Sequence, residues 1–193
     1  MCPLKSVWKF FGLYQTNTVR ILHIVILLLV IMQIIISNWM DVSNTGYIPV
    51  NRYMFYFTWL HIIVGISLLF FTAFLITVCF SNRGLRYFYP YLWGDFSQIS
   101  ADIKMLIKFK LPESSPKGLA TSVQGLGLGA LAIVILSGIT WFILWLQDSS
   151  FANEAKNIHK TLTGLIEAYI IGHGAMGLLH FFLWYRSSKT TNQ

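Results

Sequence analysis

The chain has 193 residues, of which 55% are apolar and only 11% charged, with a formal net charge of +7 and a mean hydropathy of +0.62. Soluble globular proteins carry about 25% charged residues, and a chain this short has too much surface for its volume to enclose so many apolar side chains in one aqueous core. The composition excludes a soluble enzyme, a disordered tail and a disulfide-stabilised scaffold. It predicts one integral membrane domain over residues 1–193.

Four long segments follow one another along the chain and are almost free of charged residues, with Glu167 as the exception. Each reaches about the 20 residues that an α-helix needs to cross the hydrocarbon layer of a bilayer. Their apolar residues are continuous rather than alternating, which favours helices. The sequence therefore predicts an all-α, four-helix membrane bundle, with spans at about 20–40, 53–81, 119–147 and 157–185.

The distribution of positive charge predicts the orientation. Of the 14 lysines and arginines, eleven lie in the N-terminal arm, the connection after the second span and the C-terminal tail. The other two connections hold Arg52, Lys156 and Lys160. The positive-inside rule then makes both termini cytoplasmic. The net charge is thus explained by topology, and no basic stripe interleaved with aromatic residues indicates nucleic-acid binding.

The long connection between spans two and three has a pattern of its own. From Phe96 to Lys110, apolar residues recur at close to helical spacing, with lysines between them. This pattern predicts an amphipathic cytoplasmic helix lying at the lipid headgroups. Two sharper interpretations are a docking surface and a wall of a quinone pocket.

Five histidines lie in or at the edge of the apolar spans: His23, His61, His159, His173 and His180. A polar ring in hydrocarbon is costly, so it usually has a partner and a role. The two cysteines, Cys2 and Cys79, form no C-x-x-C pair. The sequence therefore gives no support for a structural zinc site, an iron–sulfur cluster or a covalently attached c-type haem.

The spacing of the histidines predicts two pairs. His159 and His173 are 14 residues apart, which places them within roughly 40° of one helical face and about 21 Å apart along the axis. The predicted directions of the spans put His61 at the depth of His159 near the outer side, and His23 at the depth of His173 near the cytoplasmic side. Two imidazoles from facing helices can supply both axial ligands of a haem iron, so the pattern predicts two stacked haems. A zinc site would need three or four ligands at one point.

Several neighbouring residues have two interpretations each. Glycines near the histidines either admit a flat macrocycle or allow ordinary close helix packing; they are Gly65, one turn past His61, and Gly164, Gly172, Gly174 and Gly177 in the last span. Basic residues at the surfaces either pair with haem propionates or extend to the headgroups; they are Arg20, Arg52, Arg86 and Lys160. The GLGLG run at Gly125–Gly129 follows no strand, so it is not interpreted as a nucleotide-binding motif.

The roles of two polar residues in the last span are also left open. His180 is seven residues past His173 on nearly the same face. It could replace His173 as the inner ligand, hydrogen-bond a propionate or take part in quinone chemistry. Glu167 is either protonated and hydrogen-bonded to a neighbouring hydroxyl or part of a proton relay.

The last span, HKTLTGLIEAYIIGHGAMGLLHFFLW, resembles the corresponding segment of the bacterial di-haem cytochrome b561 family. That family includes the cytochrome b subunits of nickel–iron hydrogenases and the gamma subunit of respiratory formate dehydrogenase. The resemblance extends over essentially the whole chain, through RILH in the first span, WLHIIVG in the second, the basic cytoplasmic connection and the H-x13-H pair in the fourth.

The resemblance implies two non-covalent b haems with bis-histidine ligation, by His61 with His159 and by His23 with His173 rather than His180. It also implies a multi-pass protein of the bacterial cytoplasmic (inner) membrane. Members of this family pass electrons between a partner or soluble donor and the quinone pool.

The expected function is therefore electron transfer, as a subunit of a membrane respiratory complex that links a periplasmic-side redox protein or catalytic subunit to quinone. Two histidines per iron leave no open coordination position, which suits this role, and no catalytic residue is predicted. The second ring nitrogen of each ligand is expected to donate to a carbonyl or hydroxyl one turn back. The alternatives are a stand-alone superoxide:quinone oxidoreductase and a non-haem, proton-coupled membrane protein. The direction of electron flow and homo-oligomer formation are left open.

Overall fold

The computed structural model describes residues 3–40 and 52–190, and these ranges contain helices but no strand. Cys2 and the connection at 41–51 lie outside the described residues. The helices in chain order are α1 (Pro3–Gly12), α2 (Asn17–Ser37), α3 (Arg52–Arg83), α4 (Leu85–Phe88), a 3-10 turn (Pro90–Trp93), α5 (Ser97–Ile107), α6 (Leu119–Leu146) and α7 (Ala152–Thr190).

Four of these helices, α2, α3, α6 and α7, are long and apolar enough to cross a membrane. The predicted all-α membrane bundle is thereby confirmed, whereas the placement of both termini in the cytoplasm stays a prediction from the charges. The fourth helix runs beyond the predicted 157–185 at both ends, to Ala152 and Thr190. It contains no proline, and proline is the residue that most strongly interrupts a helix.

The four long helices pack in a row that leaves one seam open. Helix α2 packs against α3, α3 against α6, and α6 against α7. In the part of the chain that the structure describes, α7 is not closely packed against α2 or α3. The apolar core, built around Leu22, Leu68, Leu131 and Ile166, joins the four helices. The histidine ring contacts between α7 and the α2–α3 pair lie at this seam, with His159 and His173 of α7 opposite His61 and His23.

Helix α5 occupies Ser97–Ile107, within the predicted amphipathic segment. It presents Asp102 to the protein: this side chain is only 2% exposed, and its Oδ2 accepts a 2.7 Å hydrogen bond from the backbone N–H of Leu119, the first residue of α6. A carboxylate there satisfies a free helix N–H and complements the positive end of the helix dipole. The apolar side chains of Ile103 and Ile107 are exposed, as expected of a helix that lies at the headgroups.

Helix α1 packs over one end of α7, a contact that the sequence patterns do not predict. The buried ring of Phe10 lies with its centroid 5.5 Å from the rings of both Phe181 and Trp184. The guanidinium of Arg20 lies 4.3 Å from the ring centre of Trp8 and donates a 2.9 Å hydrogen bond to the Trp8 carbonyl. These contacts hold α1 against the start of α2 and the end of α7.

Candidate functional site

The structure brings four of the five histidines together in two pairs. The ring centres of His61 on α3 and His159 on α7 are 6.3 Å apart, and those of His23 on α2 and His173 on α7 are 6.0 Å apart. These are the two pairs expected from the predicted depths of the histidines in the membrane. We call them the outer pair and the inner pair, after the predicted orientation.

The spacing of the rings suits a metal ion between them. A metal–imidazole bond is about 2.0 Å long. With about 1.1 Å more from each nitrogen to its ring centre, two imidazoles on opposite sides of one ion have centres about 6.2 Å apart. Among the described residues, no group of three or more His, Cys, Asp or Glu side chains converges on one point. Each pair of histidines therefore brings two imidazole rings, from two helices, to a separation that one metal ion between them would fit.

A cavity of about 740 Å³ lies at the outer pair and is lined by both His61 and His159. Its volume is within the range of sites that hold cofactors and drug-sized molecules. The walls come from all four long helices and are mainly apolar, and they also include Gly65, Gly138 and Gly164. Lys156, Lys160 and Glu167 supply charged groups to the lining. The cavity thus has the donors, the size and the apolar walls that a haem needs.

His61 is held through its backbone. The Nε2 of Gln33 on α2 donates a 2.9 Å hydrogen bond to the carbonyl of His61. A Cβ on Gly65 would lie 3.0 Å from that Nε2, so the glycine makes room for the amide as well as lining the cavity. The Nδ1 of His61 is buried and forms no close hydrogen bond among the described residues, and the ring interacts with the backbone of Gln33.

His159 is held by helix α6. Its Nδ1 lies 2.9 Å from the hydroxyl oxygen of Ser137. The ring also lies against the backbone of Gly138, the residue that follows Ser137 on α6. A Cβ on Gly138 would be only 2.9 Å from His159 Cε1. The expected partner of the second ring nitrogen was a group one turn back on the same helix, and here it is a hydroxyl on the neighbouring helix.

The inner pair is surrounded by aromatic rings. The Tyr169 ring, one turn before His173, stacks on the imidazole with centres 4.9 Å apart and planes within 9°. A Cβ on Gly127 of α6 would overlap the Tyr169 phenol, so this glycine makes room for the stack. On the other side, the Phe11 ring approaches His23 edge-on at 6.1 Å, at the end of the bundle covered by α1.

His180 does not join the inner pair. Its Nδ1 lies 3.0 Å from the carbonyl oxygen of Met176, and its Nε2 lies 3.3 Å from that of Pro112. The ring therefore connects α7 to the loop between α5 and α6. A polar cavity of about 200 Å³ lies at this loop, lined by Ser114 together with Arg83, Tyr87 and Gln124.

The predicted propionate partners divide into two groups. Lys160 lines the outer cavity. The guanidinium of Arg20 donates hydrogen bonds to the Trp8 carbonyl and to Oδ1 of Asn17. The Nη2 of Arg86 lies 3.8 Å from Oδ2 of Asp95. The pKa of the Asp95 carboxyl is lowered, first by the hydrogen bond from Ser97 and then by the one from Lys117. Of these predicted partners, Lys160 is thus placed at the outer histidine pair, where Lys156 lies as well.

The four glycines of α7 that were expected near the histidines have open space around them. A Cβ on Gly164, Gly172, Gly174 or Gly177 would meet no atom within 4 Å. They are therefore not close-packing positions between helices of the described chain. The closely packed glycines near the histidine pairs are instead Gly138, against His159, and Gly127, against the Tyr169 ring that stacks on His173. They are eleven residues apart on α6 and so lie within about 20° on one helical face. The spacing shows only that the two glycines share a face, and it does not indicate which helix that face meets.

The sequence matches the family described as prokaryotic cytochrome b561 over residues 14–188, which contain both histidine pairs. The chain belongs to the prokaryotic cytochrome b561 family. The match starts after α1 and includes the four long helices up to residue 188. Among the curated proteins and the solved structures compared with the chain, none matches it. As a member of this family, the protein is a bacterial membrane cytochrome of the b type, which acts in electron transfer.

Proposed function

We propose that this cytochrome b561 family member holds two b haems, one at each histidine pair, and transfers electrons between a redox partner on the periplasmic side and the quinone pool. The observation that carries the proposal is the pairing of rings at 6.3 Å and 6.0 Å at two levels of α7. Since α7 is one continuous helix, its two histidines lie about 21 Å apart along the axis. The two sites therefore lie towards opposite faces of the membrane.

The residues of the chain have distinct tasks in this proposal. Bound haem supplies a reversible one-electron couple at each site. The four paired imidazoles would hold the two irons, and two histidines per iron would leave no open position for water or oxygen. The apolar walls of the outer cavity keep the site dry, and Lys160 offers a positive charge for a propionate. The helices hold the histidines in place. The protein therefore needs to move little when a bound haem gains or loses an electron.

The quinone site is proposed on the cytoplasmic side, near His180. The supporting observations are the His180 link to the Pro112 carbonyl and the polar cavity of about 200 Å³ at the same loop. This cavity offers hydrogen-bond donors for a quinone oxygen, from Arg83, Tyr87 and Gln124 in its lining.

The test of the function is a haem assay followed by reduction. The protein purified in detergent is expected to give two b haems per chain in a pyridine haemochrome assay, and a quinol is expected to reduce them. A colourless protein would refute the proposal and favour the non-haem alternative. One haem per chain would refute the two-haem form.

Replacing His180 by alanine is expected to slow quinol-dependent reduction while both haems stay bound. The ring contacts backbone carbonyls and lies apart from the paired histidines, so its loss removes no axial ligand. The haem content and the rate of reduction by quinol are measured on the same preparation, with reduction by dithionite as the control. Loss of a haem from His180→Ala would show that His180 is a ligand.

One observation favours a second candidate, the stand-alone superoxide:quinone oxidoreductase. Two lysines, Lys156 and Lys160, line the outer cavity against one acidic residue among the described residues, Glu167. An excess of positive charge attracts a small anion. Superoxide generated in the absence of quinol is expected to reduce the haems in this case, and superoxide dismutase is expected to abolish the effect. If superoxide does not reduce the haems, the oxidoreductase candidate is refuted and electron transfer from a redox partner is retained.

A further inference from the structure

The side chain of Ser137 stands between two helices at the outer histidine pair. Its hydroxyl oxygen lies 2.8 Å from the carbonyl oxygen of Val134, one turn earlier on α6, and 2.9 Å from Nδ1 of His159 on α7. Next to it, Gly138 lets the imidazole lie directly against α6. The ring of His159 is therefore held both by contact and by a hydrogen bond.

The protons available at Ser137 decide the direction of these bonds. A serine hydroxyl has one proton to donate, and a carbonyl oxygen can only accept. Both bonds can form only when Ser137 donates to Val134 and accepts from His159. Nδ1 of His159 then carries the proton, and a neutral imidazole protonated at Nδ1 has its lone pair on Nε2. That nitrogen is the one left to bind a metal.

The partner ring in the outer pair lacks this arrangement. Nδ1 of His61 is buried and meets no hydroxyl or other close hydrogen-bond partner among the described residues; the ring interacts with the backbone of Gln33, whose side chain holds the His61 carbonyl. The two rings of the pair are therefore unequal. A hydrogen-bond acceptor behind one ring makes that imidazole the more basic ligand and fixes its orientation.

We propose that Ser137 is a positioning residue for the outer haem: it holds His159 in the tautomer that presents Nε2 to the iron and makes it the stronger of the two axial ligands. This inference rests on the proposed haem function. A more basic ligand stabilises the ferric form over the ferrous form, so the hydroxyl lowers the reduction potential of the outer haem. It also slows the loss of that haem from the protein.

The test compares three variants of the full chain. Ser137→Ala removes the hydroxyl acceptor and leaves only the Val134 carbonyl near the His159 ring, whereas Ser137→Thr keeps the hydroxyl. Thr140→Val is the matched control, because Thr140 lies on the same helix, is exposed and donates only to the Leu136 carbonyl at 2.9 Å. The measurements are the low-spin ferric signals in electron paramagnetic resonance, a redox titration of both haems and the rate of haem transfer to apomyoglobin.

In Ser137→Ala we expect a shifted ferric signal and a higher midpoint potential for one haem, with the other haem unchanged. We also expect that haem to transfer about 10-fold faster, which is the lower end of the effect on affinity of losing a partner behind a ligating histidine. Ser137→Thr and Thr140→Val are expected to match the wild type. If Ser137→Ala does not accumulate in the membrane, Ser137→Cys is used, which offers only a weak acceptor and is expected to shift the signal and the potential in the same direction.

Each other outcome overturns the inference in a recognisable way. A Ser137→Ala protein that matches Thr140→Val and wild type in all three measurements leaves the haem function intact and removes the role of Ser137. Equal changes in the alanine and threonine variants indicate a requirement for space instead of a hydrogen bond, and also remove it. A wild-type protein that binds no haem overturns both the proposed function and this inference.

Discussion

The His159→Ala protein is expected to contain one haem per chain instead of two. His159 is the α7 member of the outer pair, 6.3 Å from His61 between ring centres. Without it, one axial ligand of the outer site is missing and the apolar cavity holds the macrocycle by packing alone. The inner pair is about 21 Å further along α7 and keeps both of its ligands. The pyridine haemochrome assay per mole of chain measures this loss.

The reciprocal variant is His173→Ala, which is expected to lose the inner haem and keep the outer one. The two single-haem proteins should then have different reduction potentials, because the two sites have different surroundings. The His180→Ala protein is the control for removing a histidine from α7. If both haems remain in His159→Ala, that residue is not a ligand, and if both are lost in each variant while the helical content is unchanged, the two sites are not independent.

Valine at Gly138 is expected to expel or weaken the outer haem while the inner haem stays. A Cβ at this position would lie 2.9 Å from Cε1 of His159 and 3.3 Å from its Nδ1, so the ring must move away from α6. Overpacking of this kind costs about 1–3 kcal/mol, which corresponds to a loss of about 5- to 150-fold in haem retention. Haem content and the rate of transfer to apomyoglobin measure the effect.

Valine at Gly127 is the matched variant for the inner site. Here the added side chain overlaps the phenol of Tyr169, which stacks on His173 at 4.9 Å. The inner haem is expected to weaken and the outer one to stay. Gly129→Ala is the control on the same helix, because its Cβ would meet only the hydroxyl of Tyr89 at 3.9 Å. Loss of the same haem from both valine variants would contradict this separation of the sites.

The sequence alone was enough to identify the four spanning helices. Four uninterrupted apolar segments predict four spanning helices, since a backbone in hydrocarbon must satisfy its own hydrogen bonds. The positions of His159 and His173 on one face follow from the helical period within a single helix. Their expected partners, His61 and His23, follow from the alternating direction of the spans. These are local properties, or consequences of crossing a membrane, and they do not depend on side-chain packing.

Only the tertiary structure decided how the helices face one another. Helix α6 is apolar nearly all round, and such a helix carries no stripe that indicates which side meets α7. For this reason the roles of Ser137, Gly138 and Gly127 could not be predicted from the sequence, whereas the more visible glycines of α7 have no neighbour within 4 Å. The position of α1 was undetermined for a related reason, because its contact with α7 joins residues at opposite ends of the chain. Apolar length and helical period are written into consecutive residues, but the rotation of one apolar helix against another is decided by the fit of side chains that are distant in sequence.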